Sequence, residues 1–218
     1  MVKGVIFDMD GLMFDTERLW DTMWEPACKE LGLPLPADMA KFQAGGRGLA
    51  GDNLRRHVAA YIPGDPQRVL DKVWQLADKR FAEGVPCKKG LKELLATLEE
   101  MGLPRIVASS SPRSMIEMNL KTSDTAKYFD KIVSGTEVAH SKPAPDTFLL
   151  AAEKLGLAPA DCLVLEDSFN GVRAGHAAGC VTVMVPDLMQ PTEEIRKLYD
   201  RKCEDLLEVR ELLVSGAL

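Results

Sequence analysis

A rhythm of short apolar runs, each too brief for a helix and separated by stretches of helical periodicity, constrains this chain more than any other feature. The first run, Lys3 to Phe7, stops abruptly at Asp8 and Asp10. Others follow at Arg105–Ala108, Lys131–Val133, Cys162–Leu165 and Val181–Val185. Runs of this length bounded by turn formers read as buried strands. Between them Leu91, Leu94, Leu95 and Leu98 recur at helical spacing and stop at Gly102, while Phe148, Leu149, Ala152 and Leu155 stop at Gly156. Alternation of strand and helix predicts an α/β fold, with a parallel sheet covered on both faces.

Residues 16–84 break the rhythm. They hold no convincing strand and read as helices over Glu17–Leu31, Asp52–Tyr61 and Pro66–Glu83. The expected organisation is therefore a core of residues 1–15 and 85–218 with a helical insert at 16–84. An insert placed after the first strand is expected over the carboxyl ends of the strands, where parallel sheets bind ligands, as a candidate lid. The formal net charge of −6 argues against a nucleic-acid partner, since phosphate backbones are met by excess Lys and Arg. No apolar run reaches membrane-spanning length, and the first is cut at once by acids. Five widely spaced cysteines with no C-x-x-C pair fit thiols in a reducing cytosol better than zinc or redox work, so a cytoplasmic location is expected.

Three predicted strand ends deliver polar groups to one rim. Asp8 and Asp10 follow the first, Ser109 to Ser111 the second, and Glu166 with Asp167 the fourth. Carboxylates gathered at the ends of apolar strands are costly to desolvate unless they share a cation. Oxygen-only ligands favour a hard ion such as Mg2+, and the lack of nearby His or Cys disfavours zinc. Asp8 and Asp10 lie two apart, so an extended segment projects both to one side, and Gly11 permits the turn that exposes them. One can serve as nucleophile toward phosphorus and the other as acid/base. Ser109 and the amide of Ser110 can hold phosphoryl oxygens beside a helix starting near Pro112, and Lys142 can supply a point charge. Taken singly, each piece fits a solvated turn, a helix cap or a surface charge. Glu166-Asp167, for example, could cap the helix from Ser168 to Ala178. Four such pieces on successive rims of one sheet are hard to explain as decoration.

These residues resemble a known set of motifs. Phe7-Asp8-Met9-Asp10-Gly11 with Asp15-Thr16-Glu17, Ala108-Ser109-Ser110-Ser111, Ser141-Lys142-Pro143-Ala144-Pro145-Asp146, and Leu165-Glu166-Asp167-Ser168 with Asn170-Gly171 resemble the four motifs of the haloacid dehalogenase-like superfamily. The chain is most similar to its beta-phosphoglucomutase-like phosphatases, over essentially its whole length. The resemblance implies a Rossmann-like three-layer core and a helical-bundle cap that opens and closes over substrate. It further implies Asp8 as nucleophile and metal ligand, Asp10 as acid/base and ligand through its backbone carbonyl, and Ser109 with Lys142 as the phosphate-binding pair. Asp167 becomes the third metal ligand, and Glu166 a ligand directly or through water. Gly11 and Ser110 are expected at the substrate.

Departures from the family pattern bear on the substrate. Sugar phosphomutases of the family carry His at the position matching Trp20, which has no group for proton transfer, so hydrolysis of a small phosphorylated metabolite is favoured over mutase activity. Trp20 then serves either core packing or substrate stacking. The usual Pro-Gly at the return to the core is here Lys89-Gly90. Gly45-Gly46-Arg47-Gly48 reads as a flexible loop between helices, and family members touch distal parts of the substrate from such a loop, which makes Arg47 the specificity candidate, with Lys79 a weaker one. His57, His140 and His176 are assigned no chemistry. A phosphorylation-controlled signalling module is an alternative, because receiver domains also combine acids, a hydroxyl and a Lys on a parallel sheet. The D-x-D spacing and the long insert speak against it. A dehalogenase would leave Asp10 and Asp167 without a purpose. A monomer is expected, with a dimer left open.

Overall fold

The computed structural model describes residues 2–47, 49 and 51–218. Two compact units emerge, one of Met1–Asp15 with Val85–Leu218 and one of Thr16–Gly84. The first is built on six parallel strands: β1 Gly4–Phe7, β2 Arg105–Ser109, β3 Ile132–Ser134, β4 Cys162–Glu166, β5 Val181–Met184 and β6 Arg201–Lys202. Their order across the sheet is β3-β2-β1-β4-β5-β6. β1 is thus central, with Phe7 level with Val107 on one side and Leu165 on the other. The strand order reverses beside β1, and such reversals open the crevice where α/β sheets bind ligands.

Alternation along the strands sorts the core into two layers. Ile6, Ile106, Ala108, Val133, Cys162 and Val164 pack with Phe148, Ala151, Ala174 and Ala178, which come from α8 (Asp146–Leu155) and α9 (Phe169–Ala178). On the opposite face Phe7 meets Phe129 edge to face, 5.7 Å between centroids. Right-handed crossovers put α6 (Leu91–Glu100) and α7 (Arg113–Thr122) on that second side, and α6 packs with α10 (Leu206–Val214). Val5, Ile6 and Phe7 are fully buried. Each such side chain contributes about 1.5–3 kcal/mol to the folded state, so the strand that leads into Asp8 is anchored on both faces.

The second unit holds α1 Thr16–Asp21, α2 Trp24–Leu31, α3 Met39–Gly46, α4 Gly51–Tyr61 and α5 Pro66–Ala82. Three expectations need correction. The helix expected over Glu17–Leu31 is two helices, because Thr22 donates its hydroxyl to the Leu19 carbonyl at 2.7 Å and tightens the chain there. Gly45 and Gly46 are not loop residues. They form the last turn of α3, a helix the sequence reading lacked, and sit against the His57 ring, where a Cβ on Gly45 would lie 2.9 Å from its Cε1. Gly48 lies outside the described residues. β6, absent from the sequence reading, is two charged residues at the sheet edge. His57 contacts the Phe42 carbonyl at 2.8 Å and stacks on the Phe42 ring, which is a packing role.

Among the described residues no helix is long and apolar enough to cross a membrane.

Candidate active site

Asp8 follows directly on β1, and its backbone N–H still donates to Leu165 O at 3.0 Å, so the residue is held as firmly as the strand. Its carboxylate is buried and accepts from Lys142 Nζ at 2.5 Å. That ammonium also donates to Ala108 O at 3.1 Å and to Glu166 Oε1 at 2.8 Å, and it lies 4.5 Å from the Phe148 ring centre. Lys142 therefore links β1, β2 and β4 at one point. Burial drives the Asp8 carboxyl well above the usual carboxylate range; Lys142 opposes this, while Glu166 and Asp10 push the same way as burial. For Lys142 burial pulls the ammonium down, but Asp8 and Glu166 outweigh it and hold the group above its ordinary value.

Asp10 takes other partners. Its Oδ2 accepts from Ser111 Oγ at 2.7 Å and Ser109 Oγ at 3.3 Å. Ser109, almost fully buried, also accepts from the Ser111 N–H at 3.0 Å. Ser110 is exposed and receives a hydrogen bond from Ser141 Oγ at 3.2 Å. Beneath this serine turn, Ser134 Oγ donates to Ser111 O at 2.7 Å. Gly135 is needed there, since a Cβ would lie 2.6 Å from Ser110 O.

Glu166 ends β4 and is fixed by both oxygens. Oε1 meets Lys142, and Oε2 accepts from the Ser168 N–H at 2.8 Å and its hydroxyl at 3.0 Å. Ser168 is also the N-cap of α9, accepting from Gly171 N–H at 3.0 Å. The helix can come this close only because residue 171 is Gly: a Cβ would lie 1.6 Å from Glu166 Oε1. Asp167 faces the first turn from the other side. Gly11, at φ +82°, would place a Cβ 2.3 Å from Asp167 Oδ2, so both its conformation and its missing side chain are required.

Asp8, Glu166 and Asp167 each offer a carboxylate oxygen, and these atoms lie within 4.8 Å of one another. An all-oxygen set of three buried carboxylates fits a hard divalent cation, and the closeness of Gly11 to Asp167 shows how tightly the pocket is drawn. Asp8, Asp10, Gly11, Ser109, Ser110, Lys142, Glu166 and Asp167 all stand at the carboxyl rim of the sheet. Arg47 and Trp20 belong to the helical unit. There Arg47 Nη2 pairs with Asp21 Oδ2 at 2.7 Å, and Trp20 lies 5.2 Å from Phe81, ring to ring. Sequence reasoning passed over Ser111 as a partner of Asp10, and it passed over the tip of β5, where Asp187 pairs with Lys88 at 2.7 Å. The signal for the latter was present: an acid follows the fifth apolar run as acids follow the first and fourth.

A haloacid dehalogenase-like hydrolase family profile matches residues 2–179. The chain belongs to the haloacid dehalogenase-like hydrolases. Within this family it is 33% identical over 211 residues to hexitol phosphatase B of Escherichia coli strain K12, covering 95% of this chain and 94% of that protein. It is 30% identical over 178 residues to a phosphorylated carbohydrates phosphatase of Thermotoga maritima, covering 82% of each. A haloacid dehalogenase-like family hydrolase from Deinococcus radiodurans R1, solved with bound phosphate and sodium, superposes with a TM-score of 0.81 at 26% identity, over 99% of this chain and 96% of that one.

Proposed function

We propose that this hydrolase releases phosphate from small phosphorylated carbohydrates or polyols, using Asp8 as nucleophile and Mg2+ as cofactor. The observation that carries the reading is the position of Asp8: a buried carboxylate at the tip of the central strand, 2.5 Å from an ammonium and within ligand distance of two further acids. The substrate class rests on the hexitol and carbohydrate phosphatases among its relatives.

In the proposed reaction an Asp8 carboxylate oxygen attacks phosphorus and the bond to the ester oxygen breaks. Asp10, protonated, gives its proton to the leaving alkoxide, and an aspartyl phosphate remains. Asp10, now a carboxylate, takes a proton from water as the water oxygen attacks the same phosphorus, which frees Asp8 and inorganic phosphate. Ser109, the Ser110 amide and Lys142 hold the phosphoryl oxygens, Lys142 exchanging part of its hold on Asp8 for the incoming anion. The residues that would hold the cation are Asp8, Asp167, the Asp10 carbonyl and Glu166, the last directly or through water because Lys142 and Ser168 already occupy its oxygens. Bound there, Mg2+ supplies positive charge that offsets the repulsion between carboxylate and phosphate. Trp20 offers no proton-transfer group, which supports hydrolysis over mutase chemistry. In the helical unit, proposed as the specificity cap of residues 16–84, Arg47 is the candidate contact to the distal part of the substrate.

The test is phosphate release from a panel of hexitol, pentitol and sugar phosphates and p-nitrophenyl phosphate, with Mg2+ or with a chelator. Release from at least one polyol or sugar phosphate that needs Mg2+ is expected. No release above buffer across the panel would sink the proposal.

A further inference from the structure

The segment that returns to the first unit carries a charge that the proposed chemistry does not use. Lys88 Nζ lies 2.7 Å from Asp187 Oδ1, and the Asp187 side chain is only 3% exposed. A carboxylate so withdrawn from water needs a close cation and hydrogen bonds. We infer that Lys88 and Asp187 form a positioning clasp that fixes the turn carrying Asp10 and Gly11 relative to the acids at the tip of β4, an inference that rests on the phosphatase reading.

The mechanical path is continuous on both sides. From Lys88 it runs through the backbone: Lys88 N–H donates to Met13 O at 2.8 Å, Asp15 N–H to Pro86 O at 3.0 Å, and Phe14 bridges Cys87. The turn is itself closed, with Met13 N–H on Met9 O at 2.9 Å and Gly11 N–H on Phe14 O at 3.0 Å. From Asp187 the path runs two residues back to Val185, whose N–H donates to Glu166 O at 2.7 Å. The two arms meet where Gly11 abuts Asp167. At that contact a small slip of the turn changes the spacing between Asp10 and the β4 acids, and ligand geometry of this kind is sensitive to such shifts.

The test uses the full chain carrying Lys88→Met, Asp187→Asn, Lys88→Arg or the double change Lys88→Met with Asp187→Leu, which leaves neither charge buried. The readouts are p-nitrophenyl phosphate hydrolysis with Mg2+ titrated, and hydrogen exchange of backbone amides without Mg2+. Lys88→Met, Asp187→Asn and the double variant should lower kcat about tenfold or more, with KM within about twofold of the parent and half-activation shifted to higher Mg2+. Lys88→Arg should keep most of the activity. In the three impaired variants Gly11 and Met13 amides should exchange faster while those of β1 stay protected. Parent-like kcat and exchange in a folded double variant overturns the clasp, as does loss of protection spread evenly over β1, which would mark a merely structural pair. If the parent itself releases no phosphate, the phosphatase reading has failed, and exchange at Gly11 and Met13 alone then decides the clasp.

Discussion

Burial of Asp8 and the ammonium of Lys142 pull in opposite directions on one proton. Left to burial, with Glu166 and Asp10 adding to it, Asp8 would hold its proton and be a poor nucleophile; Lys142, in contact at 2.5 Å, favours the carboxylate. Two variants separate the parts of this balance. Asp8→Asn removes the proposed attacking oxygen yet relieves crowding among acids, so phosphate release should vanish while the thermal midpoint stays unchanged or rises. A variant that keeps parental turnover would refute the nucleophile assignment. Lys142→Met should behave differently, because it leaves Asp8 and Glu166 buried without their shared cation. Breaking a buried pair in this way costs roughly 3–5 kcal/mol, so both activity and the free energy of unfolding in urea at neutral pH should drop. Unfolding indistinguishable from the parent would show that Lys142 is not the counter-ion the geometry makes it.

Among the elements, those with their own apolar signature were legible and those specified by one side chain were not. β1 to β5 were visible as apolar runs, because a strand buried on both faces needs unbroken apolar residues, and α6 and α8 as helical spacing, whereas α10 carried no reading. The break between α1 and α2 depends on the Thr22 hydroxyl, and α3 on Asp38, which caps it by accepting from Lys41 N–H at 2.9 Å; no periodicity reports either. The segment between β3 and α8, which carries Lys142, is fixed by a similar local device. Glu137 accepts from Lys154 at 2.6 Å, Arg113 at 2.7 Å and the Ser134 N–H at 3.0 Å. The Lys154 hydrogen bond, helped by Ser134 and Arg113 and opposed by partial burial, lowers its carboxyl to about 2 from 4.5. A lowered acid stabilises the fold above its unfolded value and loses that contribution as pH falls from about 4.5 through about 2. Glu137 keeps 28% of its side chain in water, so screening reduces the contribution to about 1–2 kcal/mol. Glu137→Gln should therefore lower stability at pH 7 by that amount and flatten the fall in stability with acid. The same acid slope in variant and parent would remove this role.

On the scale of the whole molecule, the candidate site joins residues more than a hundred positions apart, and its acids and serines were legible because they follow the ends of apolar runs whose place in a parallel sheet is constrained by chain reversal rules, whereas Lys142 comes from the loop between β3 and α8. What the sequence did not carry is how the acids are balanced: that one ammonium serves Asp8 and Glu166 together, that Asp10 turns to the serines, and that Gly11 and Gly171 admit carboxylates against their backbones. Those are distances, and spacing along a chain does not encode them. Three buried acids offer ligand oxygens within 4.8 Å of one another, and the folded state gathers them while the unfolded chain does not. A divalent cation should therefore bind the folded state selectively and stabilise it by mass action. At a Mg2+ concentration a hundredfold above its dissociation constant the gain is about 2.7 kcal/mol, which for a chain of this size raises the thermal midpoint by about 5–10 °C. A chelator should reverse the shift, and Asp8→Asn, with one ligand oxygen replaced by an amide, should reduce it. A midpoint that ignores millimolar Mg2+ in the parent would mean that the rim is not a cation site.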